Sequence, residues 1–411
     1  MNKGKKSKPE LVSPAGDWAC LVTAIESGAD SVYFGVKGIN MRNFAMNFDV
    51  SELKKVMNFL HKNKKKGYLT LNVIVMNKEL SKVSSILKKA KDAGVDAVIL
   101  WDMAVFSLAR ELGLRIHMST QASISNVRAL NFYNSLGARR VVLARECTLK
   151  DIRQITGTIK KEGMNCEIET FIHGAMCISV SGRCFLSSFS SGKSANKGEC
   201  QQYCRREFTI KDIDRESEYI LGSDYVLSAK DLCSIDFIDG LIEAGIHSFK
   251  IEGRMRSPEY VKIVTSVYRE AIDAFFENKF TDKLKIKLKQ QLSAVFNRGF
   301  SSGFYFGAPQ DAISRRNEHD HEKIFLGEVV KFYKKISVAE VLVRSGTLHS
   351  GETLLFIGNS TPAGFALIDQ IQQKHEFVKK VKKGEFAGVK LPFAVKPKDK
   401  VFIWRKKQVT E

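Results

Sequence analysis

Short apolar, β-branched runs alternate with amphipathic stretches through the first two-thirds of the chain. The runs are the "LVS" of "ELVSPAG", then "DSVYFG", "YLTLNVIV", "DAVILWD", "LRIHMSTQ", "RRVVLARE", "CEIETFIHG" and "HSFKIEGR". Most follow a helical stretch that ends in glycine, at Gly28, Gly67, Gly94, Gly113, Gly137, Gly163 and Gly245. Glycine just past a helix end is the expected left-handed stop. The repeated order helix, glycine, strand describes a chain of βα units. Eight units over roughly 250–300 residues match a (β/α)8 barrel in count and length. An open doubly wound sheet shares the pattern, but the strand number favours closure, so the fold class is α/β with a TIM-barrel-like N-terminal domain. Ser257 as N-cap and Pro258 at the first helical position start a closing helix.

Two long connections interrupt this rhythm, at residues 36–50 and 174–223. In a barrel, loops that follow strands build the catalytic face. After "FNRGFSSGFYFG" the pattern changes: "APQDAISRRNEHDHEK" is polar and aperiodic, and then short strands such as "FLGEVVKFY", "VAEVLVRS", "ETLLFIG", "AGVKLPF" and "KVFIWRK" take over. Turn residues between them predict a small antiparallel β-barrel. The expected organisation is a basic tail over 1–8, a barrel domain over 9–306 with a cysteine-bearing insertion at about 174–233, a linker over 307–323, and a C-terminal β-barrel over 324–411.

Composition narrows the class. The chain is 44% hydrophobic and 27% charged, as in ordinary globular proteins. It holds no apolar run of about 18 residues, so no membrane helix is expected. The basic start "MNKGKKSKPE" lacks the apolar stretch of a secretory signal, and the expected compartment is the cytoplasm, where thiols stay reduced. Sixty-five Lys and Arg against 45 Asp and Glu leave a net charge of +20. Such an excess favours a polyanionic partner, usually nucleic acid; lysine-rich solvated helix faces such as "LKKAKDAG" produce the same number.

Five of the eight cysteines fall in one segment, at Cys177, Cys184, Cys200, Cys204 and Cys233. Zinc knuckles bring ligands in close pairs, and only Cys200 and Cys204 have that spacing. Iron–sulfur clusters take thiolates from dispersed positions and normally need four. Cluster, zinc and a thiol nucleophile all stay open on the residues alone, with metal a better account than chance. Cys20, Cys147 and Cys166 sit beside core-like elements and read as small buried hydrophobes.

"IHGAMCISVSGRCFLSS" with the following "KGEC", "HSFKIEGRMRSPEYV", "ELVSPAGDW" and "STQASISN" together resemble the U32 peptidase-like family over nearly the whole chain. Despite a collagenase-like protease label, the resemblance implies iron–sulfur proteins of RNA-modification and quinone-hydroxylation pathways. It implies a [4Fe–4S] cluster on Cys177, Cys184 and Cys200, with Cys233 as the fourth ligand and Cys204 as the alternative. A barrel followed by a compact β-domain looks like the tRNA uridine hydroxylase branch, which makes 5-hydroxyuridine at the wobble position with prephenate as co-substrate. The implied partners are tRNA, prephenate and a paralogous protein of the same family, with no membrane. An anticodon loop presents splayed bases that reach a pocket without melting a duplex.

Strand ends add pocket candidates: Asn72, Asp102, His117, Gln121, Arg145, Glu146, Glu169, His173, Lys250, Glu252 and Arg254. Arg145 and Arg254 suit the carboxylates of prephenate, and His173 or Glu252 could move protons at the base. Glu252 with Arg254 as a rim ion pair, and His173 as a satisfied core histidine, are the plain alternatives. Six residues carry the expected catalytic set: His173, Glu252, Arg254, Arg145, Gln121 and Asn72. The competing enzyme class is a peptidase built on a Cys177–His173 or Ser181–His173 pair, although no "HExxH" is present. An RNA-binding or assembly factor without catalysis is the third class. No glycine-rich dinucleotide fingerprint follows a strand, so no nicotinamide or flavin is expected.

Overall fold

All eight expected strands form, and they close. The structure, a computed structural model, describes residues 7–407 apart from 207, 213–216, 221–226 and 310–316. The strands are β1 (Glu10–Ala15), β2 (Ser31–Gly35), β3 (Lys66–Thr70), β4 (Ala97–Leu100), β5 (Ile116–Met118), β6 (Ala138–Val142), β7 (Glu167–Gly174) and β8 (Ser248–Ile251). Each pairs in parallel with the next along β1 to β7, and β8 pairs with both β1 and β7. Helices α1 (Trp18–Glu26), α2 (Leu53–Lys62), α3 (Leu80–Asp92), α4 (Met103–Glu111), α5 (Val127–Ser135), α6 (Leu149–Glu162), α7 (Ile238–Glu243) and α8 (Pro258–Phe276) follow the strands in order. Their apolar faces meet the outer faces of the strands in one continuous core.

Local chemistry explains the ends. Ser257 is extended and Pro258 opens α8, as its sequence implies. Gly163 closes α6 in the left-handed region. Gly67 departs from the expected pattern: it lies inside β3, and Lys64 takes the left-handed turn after α2. A Cβ at Gly67 would stand 2.5 Å from Met57 Sδ, so glycine is there for helix–sheet approach.

Inside the barrel, Val12, Tyr33, Tyr68, Ala97 and Ile99 pack together. Below the mouth lies a buried charge network. Glu169 accepts from Lys250 Nζ at 2.7 Å, Arg140 Nη1 at 3.1 Å and Ser248 Oγ at 2.9 Å. Burial alone would raise the Glu169 carboxyl; Lys250 and Arg140 reverse this and hold it below its ordinary value.

The segment between β7 and α7 is an insertion. It holds a short helix (Leu186–Ser191), a two-stranded hairpin (Thr209–Asp212 with Ser217–Ile220), and a strand (Asp231–Cys233) that pairs antiparallel with the end of β7. The C-terminal strands form an antiparallel sheet of eight, whose spatial order begins with Gly364–Ile368 and ends with Glu376–Val378. Those two edge strands do not pair, so the expected small antiparallel β-barrel takes the form of a curled sheet over its own core. Short strands and the bulge beside Val329 let the sheet curl without sealing. Its first strand starts at His321, three residues before the expected 324, while most of the basic tail and residues 310–316 of the expected linker lie outside the described residues. Ala363 N donates to Thr23 Oγ1 at 2.9 Å and Lys323 pairs with Glu259 at 2.7 Å, tying the sheet to α1 and α8. No described helix is long and apolar enough to cross a membrane.

Replacing Glu169 with Ala would leave Lys250 and Arg140 buried without their shared partner. Stability should fall by about 3–5 kcal/mol in urea unfolding. A loss below about 1 kcal/mol would show that the network carries no folding energy.

Candidate functional site at the barrel mouth

The strand ends, the 36–50 connection and the insertion enclose a cavity of about 310 Å³. Asn72 after β3, Gln121 after β5, Arg145 after β6, and Lys250, Glu252 and Arg254 from β8 and its extension all line it. The two loops close over it because their backbones touch: Asn43 N donates to Gly198 O at 3.0 Å. A Cβ at Gly198 would collide with Asn40 O, so glycine is required at that approach.

Arg254 is 3% exposed and donates to Asn40 Oδ1 at 2.9 Å and Thr70 Oγ1 at 2.8 Å. Gly35 makes its room, since a Cβ there would strike the guanidinium. No carboxylate lies within ion-pair distance of Arg254 among the described residues. Burial therefore lowers its pKa to about 10. Glu252 is the local acid. It accepts from Arg42 at 2.9 and 3.2 Å and faces Arg145 Nη2 at 3.6 Å. Burial would raise the Glu252 carboxyl, but Arg42, Arg145 and Arg254 together hold it below its ordinary value, so it stays ionised at neutral pH. Arg145 also stacks on Phe171 at 4.0 Å and donates to Ala175 O at 2.7 Å, which fixes its fork. Asn72 Nδ2 donates to Gln121 Oε1 at 3.2 Å, forming a neutral wall opposite.

Four thiols line the same cavity: Cys177, Cys184, Cys200 and Cys204. Ser179 N points at Cys177 Sγ at 3.4 Å, and Leu186 N at Cys184 Sγ at 3.3 Å. Cys204 is pushed up first by burial, with Arg205 opposing and the charges of Cys177, Cys200 and Cys184 adding to the rise. Four cysteines within one another's electrostatic reach are the donor chemistry of a four-iron cluster. Among the described residues no three His, Cys, Asp or Glu side chains converge as a single metal ion requires.

A sequence profile of peptidase family U32 matches residues 16–315, well over half of the chain. The chain belongs to family U32. A relative named uncharacterized protease, from Methanocaldococcus jannaschii, is 42% identical over 96% of this chain and 98% of its own. A protein named collagenase from Porphyromonas gingivalis is 37% identical over 97% of this chain and 98% of its own. A protein named tRNA hydroxylation protein P1, from Bacillus subtilis, is 34% identical over 85% of this chain and 84% of its own. The relatives' names thus divide between proteolysis and RNA hydroxylation.

In this U32 protein the expected residues separate into two groups. Arg145, Glu252, Arg254, Asn72, Gln121 and Lys250 meet at the cavity with the exposed Glu146. His173 does not line it: the ring is 2% exposed, packs among Tyr260, Tyr268 and Phe300, and lies 3.3 Å from Tyr268 Oη. Its strand position pairs with Cys233, which is likewise buried and does not line the cavity. The expected proton carrier and the expected fourth ligand thus face the core, because the strand Asp231–Cys233 adds to β7 and covers that side. Asp102 caps α4 through Ala104 N, Glu169 belongs to the network below the mouth, and His117 is buried against Tyr68. Cys20, Cys147 and Cys166 are buried as expected. Arg42, Arg205, Arg256 and Arg298 line the cavity without having been singled out. Arg42 falls in the long loop after β2, Arg205 follows Cys204, and Arg256 stands two residues beyond Arg254, so position along the barrel face was the usable signal.

Burial, reinforced by Arg256, lowers His173 from 6.5 to about 3. Between those values the unfolded chain binds the extra proton, so this residue's contribution to stability is lost as pH falls from about 6.5 toward 3, by up to about 1.4 kcal/mol per pH unit. His173→Phe should flatten that part of the pH–stability curve while leaving ligand binding at the cavity intact. A binding defect equal to that of an Arg254 variant would return His173 to the site.

Proposed function

We propose that this protein hydroxylates the wobble uridine of tRNA to 5-hydroxyuridine, with prephenate as co-substrate and a [4Fe–4S] cluster on Cys177, Cys184, Cys200 and Cys204. The observation that carries the proposal is the meeting of four thiols and a buried arginine without an ion pair among the described residues in one cavity. The name of the Bacillus subtilis relative supports the substrate class. When bound, the cluster would supply an electron-transfer centre. Arg254 and Arg145 present guanidinium forks suited to carboxylates. The Glu252 carboxylate is the ionised group able to accept a proton at the base ring. Phe185 and Phe189 stand 64% and 85% exposed on the insertion, and Phe44 on the facing loop, as surfaces on which unpaired bases can stack. The net charge of +20 suits a phosphate backbone.

The names of two relatives favour a peptidase as the second reading. Against it, His173 faces the core, whereas Cys177 and Ser181 line the cavity, and Ser181 Oγ is held by Ser123 Oγ at 2.8 Å. Neither expected dyad is assembled.

Nucleoside mass spectrometry of tRNA from a strain lacking this gene and its paralogues should show loss of 5-hydroxyuridine-derived nucleosides, restored by the wild-type gene. Arg254→Gln should restore about ten- to a hundred-fold less per turnover, the effect of losing one charged hydrogen-bond pair. An unchanged nucleoside profile would remove the tRNA assignment. Anaerobically purified protein should carry iron and acid-labile sulfide; stoichiometric zinc without sulfide would remove the cluster.

A further inference from the structure

A second group of cations faces the cavity, separate from the Arg42, Arg145 and Arg254 group. Arg205, Arg256 and Arg298 all line it. Their shared acid is Asp231, 1% exposed, which sits 3.6 Å from Arg256 Nη2 and 3.6 Å from Arg298 Nη1. Those separations exceed hydrogen-bond reach, and both Asp231 oxygens are buried without a hydrogen-bond partner. One carboxylate thus stands among three guanidinium groups and makes a close bond to none.

The arginines are nevertheless held in place. Arg256 and Arg298 stack on Phe296 at 4.1 and 4.9 Å. Arg205 is anchored by Ser228 Oγ at 2.7 Å and by the carbonyls of Ala229 and Met176, both at 2.5 Å. Aromatic stacking and carbonyl anchoring occupy the faces and some of the donors while fixing the planes, which is how a receptor for a planar or tetrahedral oxyanion is preorganised. An ion-pair cluster serving the fold alone would close to bonding distance, as Glu169 does with Lys250 at 2.7 Å.

We propose that Arg205, Arg256 and Arg298 form a second oxyanion subsite of the cavity, taking a phosphate or carboxylate of the substrate while Asp231 keeps the empty site partly neutralised. The inference rests on the cavity being the site of the RNA chemistry proposed above. Asp231 then acts as an internal competitor: it compensates the cations without ligand and yields to a better-bonded anion.

The test is isothermal titration of the full-length holoprotein with inorganic phosphate, prephenate and an anticodon stem–loop RNA, in wild type, Arg298→Gln and Asp231→Asn. Arg298→Gln should weaken at least one probe about tenfold or more, and Asp231→Asn should tighten the same probe. Phosphate and RNA moving together identify a backbone phosphate; prephenate moving alone identifies a carboxylate. No change for any probe, or weakening by both substitutions, overturns the subsite, the second result marking a purely structural cluster. Arg205→Gln removes the cation of the three that makes no ion pair among the described residues, and thermal melting of all the variants separates lost binding from lost folding. Opposite shifts in phosphate or prephenate affinity, combined with an unchanged tRNA nucleoside profile, would uphold the subsite while removing the tRNA reading.

Discussion

Strand β8 hydrogen-bonds to β1 on one side and β7 on the other, and that double pairing turns a run of parallel strands into a ring. The ring sets the positions of the site. Residues 250, 252 and 254 follow one another along β8 and its extension with a period of two, so Lys250, Glu252 and Arg254 all line the mouth. Without closure, Arg254 would not reach Asn40 and Thr70 on the far side of β1, nor Glu252 the guanidinium of Arg42. The insertion depends on the same ring, because its last strand pairs with His173 and Gly174 of β7, beyond Glu169 where the pairing with β6 ends.

Charge is distributed with a consistent asymmetry. Below the mouth, Glu169 neutralises Lys250 and Arg140 at bonding distance, and this part of the barrel is structural. At the mouth, Glu252 faces three arginines and Asp231 three more, and in each group the positive charges exceed the acid. A buried cation without a paired anion is costly, and a fold keeps one where a ligand completes the pairing. Phe44, half exposed on the loop after β2, lines the same cavity and sets an aromatic face beside these charges.

Barrel, strand count and insertion were legible in the sequence because each rests on local periodicity and on glycine or proline punctuation. That the C-terminal strands curl without their edges pairing was not legible, since edge pairing depends on the register of the whole sheet and not on any local pattern. Among cavity-lining residues, position at a strand end pointed to Arg145, Glu252 and Arg254. His173, at the same kind of position, is instead buried where the insertion strand pairs with β7. For Arg205 and Arg256 position along the barrel face was the usable signal, but nothing local groups them with Arg298. Only the tertiary fold brings them to Asp231, across a separation that no spacing motif describes.

The position of β7 under the insertion strand also bears on the cysteines. Cys233 lies opposite His173 in the sheet, buried, with its thiol pushed up to about 11 chiefly by burial. A thiolate there would be isolated from the arginines of the mouth and from the other thiols. Cys204 is followed directly by Arg205, lines the cavity with Cys177, Cys184 and Cys200, and feels the charge of all three. Four thiolates gathered in one place repel one another, and such a set is tolerated when a cationic group holds it together or when the thiols stay protonated. A peptidase nucleophile needs one thiolate and a base beside it, and gains nothing from three further thiols. The same placement that buries His173 and Cys233 together leaves Cys204, and not Cys233, as the fourth thiol lining the cavity with Cys177, Cys184 and Cys200.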